Sequence, residues 1–278
     1  VPEPEPVAPA PAPVPVTPEP EPIPEAPSEP EIAALPPAEP AWQTNGVPFP
    51  IVGTAPLIAV VLDLSDPELA VAPEVAIGLG LPVSVALLPE GENTPLAEEA
   101  QKSGVEVLTL LPMEGKGTDD PGPDAVGTAM SDGQIQAQVS DLMGVLPGAV
   151  GAANFLGSLA MEDLPTMRSV ATGLNGAGYA FVENRVTPNS VAGGVMVGLG
   201  LPYTRSSRFV SNSVTADEMY LVLESAALGT PSNSGAVLFV PATRDALLGL
   251  QRWAIQRNGR DARLAPVTAV LRRILGQT

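Results

Sequence analysis

Glu114, Asp119, Asp120 and Asp124 fall within a few residues of one another, where an apolar run over residues 105–113 gives way to a loop rich in glycine and proline. Asp119, Asp120 and Asp124 could supply oxygen ligands to Ca²⁺ or Mg²⁺. The intervening glycines and prolines equally suit a rigid turn in which the aspartates cap backbone amides. Any such chemistry proceeds without imidazole or thiolate, because the 278 residues include no histidine and no cysteine. That excludes a Ser-His-Asp triad, a thiol nucleophile, a disulfide framework and any metal site that needs those ligands. Gly173, Gly176 and Gly178 lie in a segment with the glycine content of a phosphate-cradling loop. It follows a helical run and precedes a strand, the reverse of the dinucleotide-binding order, and so reads as a helix C-terminus.

The segment that carries Glu114 has the pattern of a strand buried on both faces over residues 105–111. In a parallel sheet, ligands sit beyond the carboxyl ends of the strands, so Pro112, Met113 and Glu114 mark where function is to be sought. Met113, like Trp253, has apolar neighbours and reads as core. Further strands are predicted over residues 58–62, 83–88, 149–153, 179–182, 208–210 and 236–240, with a short one near Leu264. Amphipathic helical segments separate them, which is the pattern of repeated βα units in a barrel or a doubly wound sheet. Several helix ends are legible. Thr94-Pro95 reads as an N-cap followed by proline, with Gly104 closing that helix. Ser131 with Gln134, and Thr215 with Glu218, fit the capping box. Behind the first box, Ile135, Val139, Leu142, Met143 and Leu146 make one apolar stripe. The Gly-Leu-Gly-Leu-Pro pattern at residues 78–82 and again at 198–202 marks helix ends that feed strands.

Residues 1–45 read as a disordered Pro/Glu-rich linker. The alternation from Pro2 to Pro40 contains no Lys or Arg and too little apolar surface to offset its ordering entropy. It would serve as a spacer or as a docking segment for a proline-recognising partner. Residues 42–56 extend it as a loop, and the globular part is expected to begin at Leu57. The formal net charge of −18 is the opposite of what a nucleic-acid binder needs. Positive charge gathers near the C-terminus in Arg244, Arg252, Arg257, Arg260, Arg263, Arg272 and Arg273, as a solvated helix face or as a surface for an anionic partner. No apolar run is long enough to span a bilayer. The chain starts at Val1, so membrane anchoring is expected only through a segment upstream of it.

Several short motifs, taken in order, resemble the divergent polysaccharide deacetylases, a bacterial envelope branch of the carbohydrate deacetylases. They are Leu111-Pro-Met-Glu114, the Asp-Pro-Gly-Pro-Asp of residues 120–124, Pro147-Gly-Ala-Val-Gly151 leading to Gly157-Ser158, and Phe181-Val-Glu-Asn-Arg185 leading to Ser190-Val-Ala192. The resemblance spans about Leu57 to Leu271. It implies an α/β fold, a distorted (β/α) barrel of about seven parallel strands over residues 46–278. Active members hold a divalent metal with one Asp and two His beside an Asp base, and the metal polarises the acetyl carbonyl. Here Asp63 matches the first aspartate of the family's paired motif, while Leu64 stands at the second. Leu110 and Phe155 stand at two histidine positions, and Val240-Pro-Ala242 replaces the Gly-His-Pro near the last strand. Glu183 replaces a family Asp. The resemblance therefore implies a barrel whose divalent metal has been lost, with no cofactor and Asp63 left as a catalytic vestige.

Glu114, Asn154, Ser158, Glu183 and Arg185 are then expected to line a substrate groove, with Arg185 held by Glu183 or Glu114. Such a protein would act in the bacterial periplasm or cell envelope by binding a cell-wall glycan or an envelope protein. Two alternatives stand beside it. One is an active carbohydrate deacetylase or hydrolase with Asp63, Glu114 and Glu183 gathered in a reorganised carboxylate site, and the other is a structural envelope scaffold. The composition of the arm makes it dispensable for folding. Deleting residues 1 to 40 is expected to leave the thermal midpoint within a few degrees, as read by circular dichroism.

Overall fold

The computed structural model describes residues 39–257 and 262–277. The Pro/Glu-rich arm lies outside the described residues. Strands β1 Leu57–Asp63, β2 Ser84–Leu87, β3 Glu106–Met113, β4 Gly151–Leu156, β5 Ala180–Glu183, β6 Tyr203–Arg205, β7 Gly235–Pro241 and β8 Arg263–Leu264 form one sheet. Every pairing is parallel, in the order β6-β5-β4-β3-β2-β1-β7, with β8 beside the first residues of β1. The sheet curls until its edges meet at a parallel bridge between Ser206 and Val237. There the Ser207 N–H donates to the Val237 carbonyl at 2.8 Å, and the buried Ser206 hydroxyl accepts from the Phe239 N–H at 3.1 Å. A serine side chain thus stands in for strand pairing at the seam, and the fold is the expected distorted barrel.

Helices fill the connections: α1 Ala41–Thr44, α2 Pro73–Ile77, α3 Thr94–Lys102, α4 Asp132–Val145, α5 Leu164–Asn175, α6 Ala192–Gly198, α7 Ala216–Gly229, α8 Arg244–Arg257 and α9 Val267–Ile274. Alternate residues of each strand point to opposite faces, and the buried clusters follow that alternation. Ile58, Val60 and Leu62 pack outward with residues of α2, α3, α7 and α8, Trp253 among them. Leu111, Met113 and Phe181 pack outward with α4, α5 and α6. Leu57, Ala59, Val61, Leu108, Leu110 and Val182 point inward, where Val267, Ala269 and Val270 of α9 meet them. The interior is a packed core with α9 laid against it. Among the described residues, no helix is long and apolar enough to cross a membrane.

Both capping boxes form, at Ser131 with Gln134 and at Thr215 with Glu218. The stripe from Ile135 to Leu146 is buried throughout. The helix that ends near Gly176 and the two Gly-Leu-Gly-Leu-Pro turns fall where expected, with Gly80 and Gly200 in the left-handed region.

Four readings need correction. The sixth strand is Tyr203–Arg205 and not residues 208–210, because those follow the barrel seam instead of lying in the ladder. Thr94 is the first residue of α3, not its cap, and its hydroxyl donates to the Val145 carbonyl. β3 continues through Pro112 to Met113, since Val126 returns beside it and donates its N–H to the Pro112 carbonyl. Residues 42–56 are not a free loop: Trp42 is 3% exposed, the Trp42 N–H donates to the Gly178 carbonyl, and Asn45 Nδ2 donates to the Ala149 carbonyl. The domain therefore begins at Glu39, several residues before 46. A deletion that spares α1 ends at Ala38.

Glu106, a buried carboxylate on the inner face of β3, joins four parts of the chain. Oε1 accepts from the Val47 N–H at 3.0 Å and from the Thr268 hydroxyl. Oε2 accepts from the Thr268 N–H at 3.0 Å and from the Ser84 hydroxyl at 3.4 Å. Ser84 in turn accepts from the Val267 N–H at 3.1 Å, so two unpaired amides at the start of α9 are satisfied from the sheet. Burial pushes the Glu106 carboxyl above the ordinary carboxylate range, and the bonds from Thr268, then Val47 and Ser84, pull it back. A carboxyl raised on folding binds more protons folded than unfolded over the interval between the two values. Its contribution to stability is therefore lost as pH rises from about 4.3 through the folded value. Glu106→Gln is expected to flatten that part of the melting-temperature profile. It should also lower the midpoint by roughly 2 to 10 °C, because the amide nitrogen cannot accept and leaves a buried N–H unpaired at about 1–3 kcal/mol.

Candidate functional site

The three carboxylates of the alternative hydrolytic centre are dispersed. Asp63 shares the inner face of β1 with Leu57, Ala59 and Val61, and its Oδ1 accepts from the Ser65 N–H at 2.9 Å. Burial raises its carboxyl above the ordinary range, opposed by the Ser65 bonds and reinforced by the nearby Asp66 charge. The cavity it borders, shared with Pro241 and Thr243, holds about 60 Å³. That is far below the roughly 300–1,000 Å³ of pockets that enclose small ligands. Glu114 lies beyond β3, where Oε2 accepts from both the N–H and the hydroxyl of Thr128, at 2.7 and 2.8 Å. Glu183 shares the outer face of β5 with Phe181, away from Asp63, and accepts from the Tyr203 hydroxyl at 2.5 Å. Burial and that bond hold the Tyr203 phenol protonated well above its usual range.

The fold family implies a divalent metal, and the residues present do not suit one. Leu110 lies on the inner face with Leu108, and Phe155 packs against the same cluster. Pro241 pairs in register with Asp63 on the neighbouring strand. The positions carried over from the family thus do share the interior with Asp63, but they bring hydrocarbon to it. Leu64 packs toward the opposite cluster. Among the described residues, no three Asp or Glu side chains are grouped as a metal would need. Asp120 serves the turn instead, accepting from the Gly122 N–H at 2.9 Å.

What remains open lies at the carboxyl ends of β3, β4 and β5. A groove of about 390 Å³ is lined by Gly115, Asp119, Leu156, Ser158, Asn184, Arg185 and Phe209, among others. Its floor is a sharp turn after β4, with Leu156 at φ 53° and Gly157 at φ 93°. A left-handed leucine costs about 1–2 kcal/mol and persists only where neighbours over-determine it. Asn154, fully buried, supplies that: Nδ2 donates to the carbonyls of Leu156 at 2.9 Å and Asn184 at 3.0 Å, while Oδ1 accepts from the Asn184 N–H at 2.8 Å. A Cβ at Gly157 would lie 2.9 Å from that of Met113, so only glycine passes β3 there.

The groove's rim is tied as well. The Ser158 hydroxyl accepts from the Lys116 N–H at 2.9 Å, and Lys116 Nζ pairs with Glu162 at 2.6 Å. Glu162 also accepts from the Thr187 hydroxyl and from Asn189 Nδ2, joining three loops, and Lys116 before the others holds its carboxyl below the ordinary range.

Of the predicted groove residues, Ser158 and Arg185 line the opening, Asn154 supports it from beneath, and Glu114 braces the loop behind it. Glu183 belongs to the helix layer. The expected pairing of Arg185 with Glu183 or Glu114 does not form: Arg185 is exposed, and its Nη1 donates to the Ser207 carbonyl at 3.2 Å. An exposed guanidinium is hydrated and has no need of a buried counter-charge. Sequence reasoning missed Asn184, Phe209 and the Lys116–Glu162 tie. Phe209, 75% exposed, carried a signal in being one of only five phenylalanines, next to an arginine.

The open groove and its rim lie at the carboxyl ends of a parallel barrel, the end at which such barrels carry their sites. The chain belongs to the divergent polysaccharide deacetylase family, whose sequence pattern matches residues 71–271. Leu110 and Phe155 fall inside that match, and Asp63 and Leu64 precede it. In structure, the chain is similar to an uncharacterized protein from Agrobacterium tumefaciens C58, with a TM-score of 0.72 and 18% identity over 83% of this chain and 94% of that one. It is also similar to a lactam utilization protein from Thermus thermophilus, with a TM-score of 0.50 and 15% identity over 77% of this chain and 99% of that one. At these identities the likeness is one of fold. Among curated proteins, none matches the sequence.

Asn154→Ala removes three bonds and leaves the Asn184 N–H without its partner. The expected cost is about 3 kcal/mol, read as a midpoint lowered by roughly 6 to 12 °C in thermal unfolding. Asn154→Asp, which sets a buried carboxylate oxygen against those two carbonyls, should lower the midpoint at least as much.

Proposed function

We propose that this protein is a catalytically degenerate member of its family that acts in the bacterial cell envelope by binding a cell-wall glycan. One observation carries the reading. The inward positions that would hold a metal are filled by Leu110 and Phe155, while the groove beside them stays open with Ser158, Asn184, Asp119 and Arg185 on its walls. A reaction that needs a polarised carbonyl has lost its ligands there, and a sugar has kept hydrogen-bonding groups and an aromatic face in Phe209. The dispersal of Asp63, Glu114 and Glu183 onto separate partners also argues against a hydrolase built on carboxylates alone.

Two measurements test this. Retention of the protein by insoluble peptidoglycan or chitin is expected, and it should fall several-fold on Phe209→Ala with the melting temperature unchanged; absence of retention on either polymer would remove the binding reading. Zn²⁺, Co²⁺ or Ni²⁺ should produce no resolvable midpoint shift. A folded-state metal site at a hundred times its Kd would contribute about 2.7 kcal/mol and raise the midpoint by roughly 5 to 10 °C. A saturable, chelator-reversible rise accompanied by acetate release would replace degeneracy with an active enzyme.

A further inference from the structure

Phe209 divides two cavities, and their linings differ in charge. The first is the groove described above, with Asp119 on its wall. The second, of about 400 Å³, is lined by Arg185, Val186, Thr187, Pro188, Arg208 and Phe209. It has two guanidinium groups and no carboxylate among its lining residues. Neither arginine is neutralised: Arg185 donates to the Ser207 carbonyl at 3.2 Å and Arg208 to the Ser225 hydroxyl at 2.9 Å, both uncharged acceptors. Among the described residues the ion pairs are Lys102–Glu98, Lys116–Glu162 and Arg252–Asp217, so these two arginines keep their full charge. In a chain with 31 acidic and 13 basic residues, two unpaired guanidiniums facing one cavity run against the overall charge. Each also retains donors beyond the one it uses, since a guanidinium carries five in a planar fork.

We propose that the cleft astride Phe209 binds an acidic saccharide, with a sugar carboxylate between Arg185 and Arg208, the ring on the exposed face of Phe209, and the neutral end of the chain in the groove of Ser158 and Asn184. The assignment rests on the glycan-binding reading and adds a direction to it. Asp119 would repel a carboxylate from the first cavity, while Arg208 attracts it to the second, so the ligand enters one way round. A planar fork matches a carboxylate through two parallel charge-assisted bonds, and the phenyl ring offers the flat apolar surface that a sugar ring's C–H face covers.

The test uses the full chain in calorimetric titration with two acidic probes, each compared with its own methyl ester. One probe is a trimer of galacturonic acid, and the other is the disaccharide of N-acetylglucosamine and N-acetylmuramic acid. A trimer of N-acetylglucosamine serves as the neutral control. At least one acid should bind about ten-fold more tightly than its ester, and that preference should weaken as salt is raised. Arg208→Gln should abolish the preference while weakening the neutral trimer less than two-fold, whereas Arg185→Gln, which also removes a group from the wall of the groove, should abolish the preference and weaken the neutral trimer as well. Arg208→Lys, which keeps the charge and loses the fork, should retain part of it. Circular dichroism midpoints within a few degrees of wild type establish that the variants fold, and Phe209→Ala, lying outside the ion contacts, should weaken acid and ester alike. Equal binding of acid and ester, or a preference that survives both glutamine variants, would overturn the acidic-ligand assignment and leave glycan binding standing. Failure of every saccharide to bind would overturn both.

Discussion

A carboxylate with four hydrogen-bond donors around it, sealed inside the barrel, is the interaction on which the rest of the structure depends. Glu106 draws the entry segment through Val47, strand β2 through Ser84 and the first turn of α9 through Thr268 onto strand β3. Removing a charge from water costs several kcal/mol, and these four donors recover part of that cost. The arrangement also explains why α9 is laid against the inner-face core at the amino ends of the strands instead of joining the outer layer. Its N-terminal amides find partners on the inner wall, and Val267, Ala269 and Val270 then meet the inward-facing residues of the strands. The three ion pairs among the described residues involve side chains that are mostly well exposed, and pairs of that kind contribute little.

The barrel is thereby divided along its axis. The amino ends of the strands, where Glu106 and Ser84 begin β3 and β2, are filled, and both Glu106 oxygens are bonded there. The carboxyl ends carry the left-handed Leu156, the clamp of Asn154 on Asn184, and a rim tied by Lys116, Glu162 and Thr187. Parallel barrels generally place their sites at this carboxyl end. A barrel anchored this firmly at one end can change the other without losing its fold.

Much of the fold was legible because buried parallel strands write continuous apolar runs and capped helices write their ends in Ser, Thr and Gly. β3, the capping boxes at Ser131 and Thr215, and the stripe from Ile135 to Leu146 follow from those rules. The sixth strand did not, since Tyr203–Arg205 has three residues and owes its place to pairing with β5. Glu106 stood in plain view inside the apolar run, and a charged residue in a strand buried on both faces demands partners. Those partners lie far away in sequence, at Val47, Ser84 and Thr268, which no local pattern reveals. The candidate site was legible only in part for the same reason: alternation along β5 assigns Glu183 to the face of Phe181, but which face meets the helices is decided by the whole sheet. Arg185 was given a carboxylate on the assumption that it was buried, and exposure removed the need.

The hydrocarbon of Leu110 and Phe155 on the inner face has a structural consequence of its own. Histidines in the interior of a barrel need hydrogen-bond partners or a metal, and without the metal they leave polar atoms to satisfy in a dry space. Leu110 and Phe155 carry no such requirement and extend the inner core toward the strand ends. Asp63, at the carboxyl end of the same inner face, has a local partner in the Ser65 amide. Polar and aromatic groups that still meet water lie outside that core. Ser158, Asn184, Arg185, Arg208 and Phe209 are where the loops present such groups.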